Sequence, residues 1–356
     1  MSAETTPAGV DLLHHGDDEA AEGLLDFAVN VSSHRPPAWL ADRLRAAVDG
    51  LGRYPDPRPA RRALAALHGI PEDCVLVVAG AAEAFTLVAG LPWRRPVVVH
   101  PQFTEPDAAL RAHGHDVEWA LLDPADGFSM HGKPAVDPLA DLVVVGNPTN
   151  PTSRVHAAPD LLRLCAPGRL LLVDEAFLDA VEPPERPVSS LVPRAARADG
   201  VAVVRSLTKT FAIPGLRVGY VVGRPDVLRA LRRRQPRWAV GSLACAAAVA
   251  CAGEDGQRHA ADHRRALPAR LDALSGGLTR AGLHVVREPR APFVLARHPQ
   301  GHVVRERLRD KGIAVRRGDT FPGLGPQWLR FAARGPGDLD RLLAGLRQAT
   351  RPEETT

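Results

Sequence analysis

Lysine is nearly absent from this chain. Only Lys133, Lys209 and Lys311 occur among 45 basic residues, leaving 42 arginines. Long apolar runs are also missing: none reaches the roughly 18–20 residues of a membrane span, so no membrane partner is expected. The N-terminal stretch MSAETTPAGVDLLHHGDDEAAEG has neither a basic start nor an apolar segment. It does not read as a signal peptide, and a cytoplasmic protein is expected. The four cysteines (Cys74, Cys165, Cys245, Cys251) show no CxxC or Cys/His spacing. Reduced core thiols are expected and no metal site. The formal charge is +4 and the pI about 9.1, but arginine is spread along the chain with alanine and proline. The densest basic run, RALRRRQPR at 229–237, is broken by Pro236. It reads as a solvated helix face, and no nucleic-acid partner is expected.

The chain has 356 residues, 45% hydrophobic and 24% charged, which suits a soluble globular protein with more than one core. Helical spacing is expected at 40–48 and 58–67. From Cys74 onward, apolar β-branched runs alternate with helical stretches. Strands are expected at 75–78, 96–100, 117–122, 142–145, 170–173, 201–205 and 218–222. Most are unbroken apolar runs, so both faces should be buried. Strands alternating with helices imply βαβ units and a mostly parallel sheet. A long Ala-rich helix is expected over 242–278, then strands at 283–287 and 293–296, a helix at 303–311, and strands at 313–316 and 328–332. The reading is α/β: an N-terminal arm and part of a small domain over 1–50, a large domain over 51–240, and a connecting helix with a small α+β domain over 241–356. The first 20 or so residues and the tail 351–356 are expected to be loosely held.

The rare lysine then stands out. RSLTKTFAIPGLRVGY places Lys209 just past an apolar strand, at the strand end where open α/β sheets bind ligands. A desolvated lysine near a cation has a lowered amine pKa and can form a Schiff base with an aldehyde. Arg217 is such a cation and also an anion clamp. Ser206 and Thr208 offer hydroxyls to a phosphate. VLVVAGAAEAF is a strand, then Gly80, then Ala81 and Ala82 opening a helix whose free amides suit a phosphate. LLLVDEAF ends a strand with Asp174, a carboxylate wanting a cation such as a protonated pyridine nitrogen. In VVVGNPTNPTSRV, Asn147 and Asn150 each precede proline in a turn, where an amide can donate to a ring oxygen. HPQFTEP supplies Phe103, which can stack on a planar ring. Each signal is weak alone. Together they describe a pyridoxal-phosphate site.

In this order, GAAEAF, NPTNPTS, VDEAF and SLTKTFAIPGLRVGY resemble fold-type I pyridoxal-phosphate enzymes of the aminotransferase class I/II superfamily. Within it the chain resembles threonine-phosphate decarboxylases of cobalamin biosynthesis and histidinol-phosphate aminotransferases. The likeness extends from about His14 to Arg334, through HHGD, LLDFAVNVSS, RYPDP, QPRWAV and GIAVRRGDTFPGLGPQWLRFAAR. It implies a seven-stranded, mostly parallel sheet in the large domain and pyridoxal 5'-phosphate as cofactor. It implies that Lys209 carries the cofactor and serves as acid and base, that Asp174 pairs with the ring nitrogen, and that Asn150 contacts the ring oxygen. Phe103 would stack on the ring. Gly80, Ala81, Ala82, Ser206 and Arg217 would hold the phosphate. Tyr54 would reach a neighbouring subunit's site in a homodimer with shared active sites. Arg330 would hold a substrate carboxylate. Arg316 is the candidate for a substrate phosphate, with Asn30 and His15 as further substrate-binding positions.

The chain departs from the pattern at Phe177, where aminotransferases carry tyrosine; at Asn30-Val31-Ser32-Ser33, for Asn-Ile-Asn-Pro; at Ser153, for glycine; and at Gly241, for asparagine. The leading expectation is a decarboxylase of L-threonine O-phosphate, supported by DEAF, AIPGLR and HPQF. The alternative is an aminotransferase of histidinol-phosphate type using 2-oxoglutarate or glutamate. A third expectation, a binding or regulatory protein without chemistry, is disfavoured by intact Lys209 and Asp174. The bond held perpendicular to the ring is the one that breaks, so clamp geometry separates the first two.

Overall fold

The computed structural model describes residues 9–131, 136–183 and 185–351. Lys133 and the tail beyond Arg351 lie outside the described residues. The strands are β1 (Leu25–Phe27), β2 (Val75–Val78), β3 (Pro96–His100), β4 (Glu118–Leu121), β5 (Leu142–Gly146), β6 (Leu170–Asp174), β7 (Val201–Ser206), β8 (Gly219–Gly223), β9 (His284–Val285), β10 (Phe293–Arg297), β11 (Ile313–Arg317) and β12 (Trp328–Ala332).

Seven of them form one sheet in the order β2-β8-β7-β6-β5-β3-β4. All neighbours are parallel except β8, which is antiparallel to both β2 and β7. The unbroken apolar runs are the cause of double burial. Along β5, Val143 and Val145 join one core while Leu142 and Val144 join the other, and β2, β6 and β7 divide the same way. Helices Ala81–Ala89, Glu105–Ala112 and Pro225–Arg232 cover one face. Arg58–His68 and Ser242–Ala252 cover the other. In this sheet only edge strand β4 exposes side chains, Glu118 and Leu121 at its two ends.

The second sheet runs β1-β11-β12-β10-β9, so a strand from the N-terminal arm is paired, in parallel, with a C-terminal one. The arm is held more firmly than its composition suggests. Glu19 is buried and takes Arg305 at 2.6 Å, and the short helix Gly16–Glu19 sits where a Cβ on Gly16 would lie 2.6 Å from the Ala28 carbonyl.

The long helix expected over 242–278 is two helices, Ser242–Ala252 and Glu254–Arg280, broken at Gly253. The turn is so tight that a Cβ on Gly256 would lie 2.1 Å from the Cys251 carbonyl oxygen. Among the described residues no helix is long and apolar enough to cross a membrane.

Candidate active site

The C-terminal ends of β2, β3, β5, β6 and β7 open onto one cavity of about 530 Å³, where a parallel sheet is expected to bind its ligand. Lys209 follows β7 and is half-buried in the wall. Its carbonyl accepts from Ser32 N at 3.0 Å, and Thr210 O accepts from Ser32 Oγ at 2.8 Å. The altered Val31-Ser32-Ser33 stretch therefore straps the lysine loop. Burial, reinforced by the Arg217 and Arg330 guanidinium groups, lowers the Lys209 amine to about 8.

Asp174, at the end of β6, is buried, and that desolvation raises its carboxyl to about 6 despite a 3.0 Å hydrogen bond from Ala176 N. A cationic ring nitrogen beside it would restore the charged form. Beneath this pair, strand alternation turns Glu175 and Arg205 to the opposite side of the sheet end. Arg205 Nη1 donates to Glu175 Oε2 at 2.8 Å and Arg205 also pairs with Asp179. Glu175 accepts further bonds from Leu191 N and Ser190 Oγ. This buried knot fixes the ends of β6 and β7, which carry the acid and the lysine.

The residues expected to hold a phosphate lie together. Gly80 has φ +84°, and a Cβ there would lie 2.6 Å from Arg217 Nη2. Only glycine fits both demands. Ala81 and Ala82 line the cavity as the first residues of a nine-residue helix, so unpaired amides face the space beside Arg217. The Ser206 and Thr208 hydroxyls complete the set, 2.8 Å apart.

The turn after β5 separates its two asparagines by role. Asn147 is spent on backbone, donating to His156 O and Ser189 O and accepting from His156 N. Asn150 lines the cavity and accepts Arg330 Nη1 on Oδ1 at 2.6 Å. Since arginine only donates, Nδ2 is the end left for a ligand oxygen. Phe103 lines the wall with His15, ring centroids 5.3 Å apart, and Phe177 lies nearby with its ring edge-on to Phe293. Asn30 is buried in the same wall, and neither of its side-chain polar atoms has a partner among the described residues.

Two expected residues stand apart. Arg316 does not line the cavity. It is buried beside Arg330 on the adjoining strand, stacks over Phe321 at 4.8 Å and donates to the His14 carbonyl at 2.6 Å. The arm takes one end of the guanidinium, while Nη1 is buried without a partner among the described residues. Tyr54 is 76% exposed and stacks on Trp238 at 4.3 Å, outside the chain's own cavity. The sequence reading passed over Asp17 and Glu105, which also line the wall; Glu105 Oε2 is 3.0 Å from His15 Nε2. Both sat inside quoted motifs, HHGD and HPQFTEP, where an acid in a loop looks merely solvated.

The donor set fits pyridoxal phosphate: a depressed lysine, a buried acid lacking a cation, an oriented amide, an aromatic face, and a glycine-floored anion cradle under arginine.

Comparison with known proteins agrees. The profile of the family described as Aminotransferase class I and II matches residues 22–346. The chain is 44% identical over 338 residues to a histidinol-phosphate aminotransferase of Mycobacterium tuberculosis, covering 94% of this chain and 90% of that protein. It is 33% identical over 337 residues to the threonine-phosphate decarboxylase of Salmonella typhimurium, covering 91% and 90%. The crystal structure of the histidinol-phosphate aminotransferase from Clostridium acetobutylicum superposes with a TM-score of 0.81 at 22% identity, covering 91% of this chain and 98% of that one. That structure and the seven-stranded sheet described above share one architecture, the fold-type I arrangement. The chain belongs to the aminotransferase class I and II family of pyridoxal 5'-phosphate enzymes.

Proposed function

We propose that this chain is an aminotransferase acting on a phosphorylated amine of histidinol-phosphate type, with 2-oxoglutarate or glutamate as the second substrate. The observation that carries the reading is the 44% identity, across nearly the whole chain, to a protein of that name, against 33% to the decarboxylase. The leading expectation from sequence thus becomes the second reading.

The cavity's charges can hold such an amine. With Lys209 and Arg217 committed to the cofactor, Arg330 is the arginine left in the wall, and the carboxylates of Asp17 and Glu105 share the space. The substrate phosphate would meet Arg330, and a neutral or cationic ring can sit beside the carboxylates. Decarboxylation of L-threonine O-phosphate is kept as the second reading because Phe177 occupies the wall where aminotransferases carry tyrosine.

Bound pyridoxal phosphate would serve as the electron sink for the reacting carbon. Lys209 would hold it, and its amine near 8 would then move a proton at that carbon. Asp174 would keep the ring nitrogen protonated. Asn150 Nδ2 would donate to the ring oxygen, and Phe103 would cover the ring. Arg330 would fix the substrate's anion, and the carboxylate next to the keto group of 2-oxoglutarate would take the same place. We also infer a cytoplasmic homodimer with shared sites. Exposed Tyr54 and Trp238, with Val48 and Leu51 also exposed, support a second copy as their cover.

Product analysis by mass spectrometry tests the choice. L-Histidinol phosphate with 2-oxoglutarate should yield glutamate. Aminopropanol phosphate from L-threonine O-phosphate, without any keto acid, would favour the second reading.

A further inference from the structure

Ser153 holds an unusual position. Its φ is +62°, in the left-handed region that favours glycine, and its side chain is wholly buried. Such a backbone is strained and persists where the surroundings over-determine it. Here the surroundings are a single strap from the second sheet. Ser153 Oγ accepts from Arg290 N at 3.0 Å and Ala291 N at 2.8 Å, and lies 3.1 Å from the Ala291 carbonyl, to which it donates. The Ser153 carbonyl also accepts from Arg290 N at 2.9 Å. The next residue extends the fastening: Arg154 Nη1 donates to Arg287 O at 3.3 Å and pairs with Glu288 at 3.2 Å.

The strap leads directly into β10. Phe293, its first residue, lies 5.4 Å beneath the Arg330 guanidinium, and Leu295 is the register partner of Arg330 on β12. On the other side, three residues before Ser153, Asn150 accepts Arg330 at 2.6 Å. The loop after β5 therefore grips the second sheet twice, once at the arginine itself and once at the strap that floors it.

We propose that Ser153 is a positioning residue: its hydroxyl latches the strap at 290–291 to the turn carrying Asn150, so that the Arg330–Asn150 anion clamp is built before substrate arrives. A glycine here would adopt the same backbone freely and keep the carbonyl bond from Arg290 N, but it would lose the three hydroxyl bonds, including both to Ala291, and binding would then bear the cost of ordering the loosened strap. The inference rests on reading Arg330 as the anion clamp.

Cofactor-loaded wild type, Ser153→Gly and Arg330→Gln are compared by titration with inorganic phosphate, by amide hydrogen exchange and by thermal unfolding. Ser153→Gly should speed exchange chiefly at Ala291, whose N–H donates to the lost hydroxyl, and less at Arg290, whose N–H still reaches the residue-153 carbonyl. It should raise the phosphate Kd by about three- to tenfold, and raise KM for the amine substrate with kcat little changed. Relief of the strained φ should keep its unfolding temperature close to wild type. Unchanged exchange at the strap would overturn the latch, and faster exchange with unchanged phosphate affinity would overturn its link to the clamp. Equal phosphate binding by wild type and Arg330→Gln would instead remove the clamp itself, and the proposal with it.

Discussion

Arg330 donates through Nη1 to Asn150 Oδ1 at 2.6 Å, and in doing so settles which way the amide faces. One contact thus joins β12 of the second sheet to the turn after β5, orients a donor toward the cofactor site, and presents a guanidinium to the cavity. Lysine cannot reproduce it, because an ammonium lacks the planar fork. Arg330→Lys should raise KM for the amine substrate by about 10–100-fold, the worth of a charge-assisted pair. Steady-state kinetics check this, and an unchanged KM would remove Arg330 from substrate binding.

The Lys209 amine near 8 sets a pH profile for cofactor uptake. The neutral amine attacks the aldehyde, so attachment should quicken by about tenfold per pH unit well below the pKa, and level off above pH 9 or so. Stopped-flow absorbance on unloaded protein, with Lys209→Ala as the blank, gives the midpoint. A rate still climbing steeply toward pH 10.5 would mean that burial does not depress this amine.

Phe177 brings no hydroxyl to the wall it shares with Asn150. The ring oxygen of the cofactor then has Asn150 Nδ2 as its donor. Phe177→Tyr adds a second donor to the anionic oxygen and should lower the pH midpoint of the cofactor's colour change by about one unit. A spectroscopic titration of both proteins decides it, and identical midpoints would contradict the assignment.

Arg205 pairs with two acids behind the site, Glu175 at 2.8 Å and Asp179. Arg205→Met leaves Glu175 without its guanidinium partner in a desolvated position, and leaves Asp179 with Arg186 at 3.8 Å. A loss of about 3–5 kcal/mol is expected at neutral pH, read by urea unfolding of the loaded protein. A loss below 1 kcal/mol would show that the knot adds little rigidity to β6 and β7.

Much of this was legible in the chain because the relevant signals are local. Strands buried on both faces must be unbroken apolar runs, and Lys209 and Asp174 stand immediately past two of them. The Gly80 turn is legible for the same reason, since strand, glycine and small residues are consecutive. What escaped depends on distant partners. Glu19 looked like part of a solvated arm until Arg305, 286 residues away, was seen to bury it. The contact of Arg316 Nη2 with the His14 carbonyl, 302 residues away, was equally hidden, while its Nη1 has no partner among the described residues. The break at Gly253 is masked by the alanine-rich helix before it and the good helix formers further on, while the 2.1 Å approach at Gly256 shows how tight the turn is. Ser153 read as a mere departure, because the strap that gives its hydroxyl three partners lies more than 130 residues downstream.

A single-turnover experiment tests the central claim most directly. Loaded protein is mixed with excess L-histidinol phosphate in the absence of any keto acid, while absorbance and keto product are followed together. An aminotransferase must stop after one event, so the account predicts loss of the yellow colour and one equivalent of keto product per site, with colour restored by 2-oxoglutarate. A protein that keeps its colour with L-histidinol phosphate, yet turns over L-threonine O-phosphate many times without a keto acid, would contradict it.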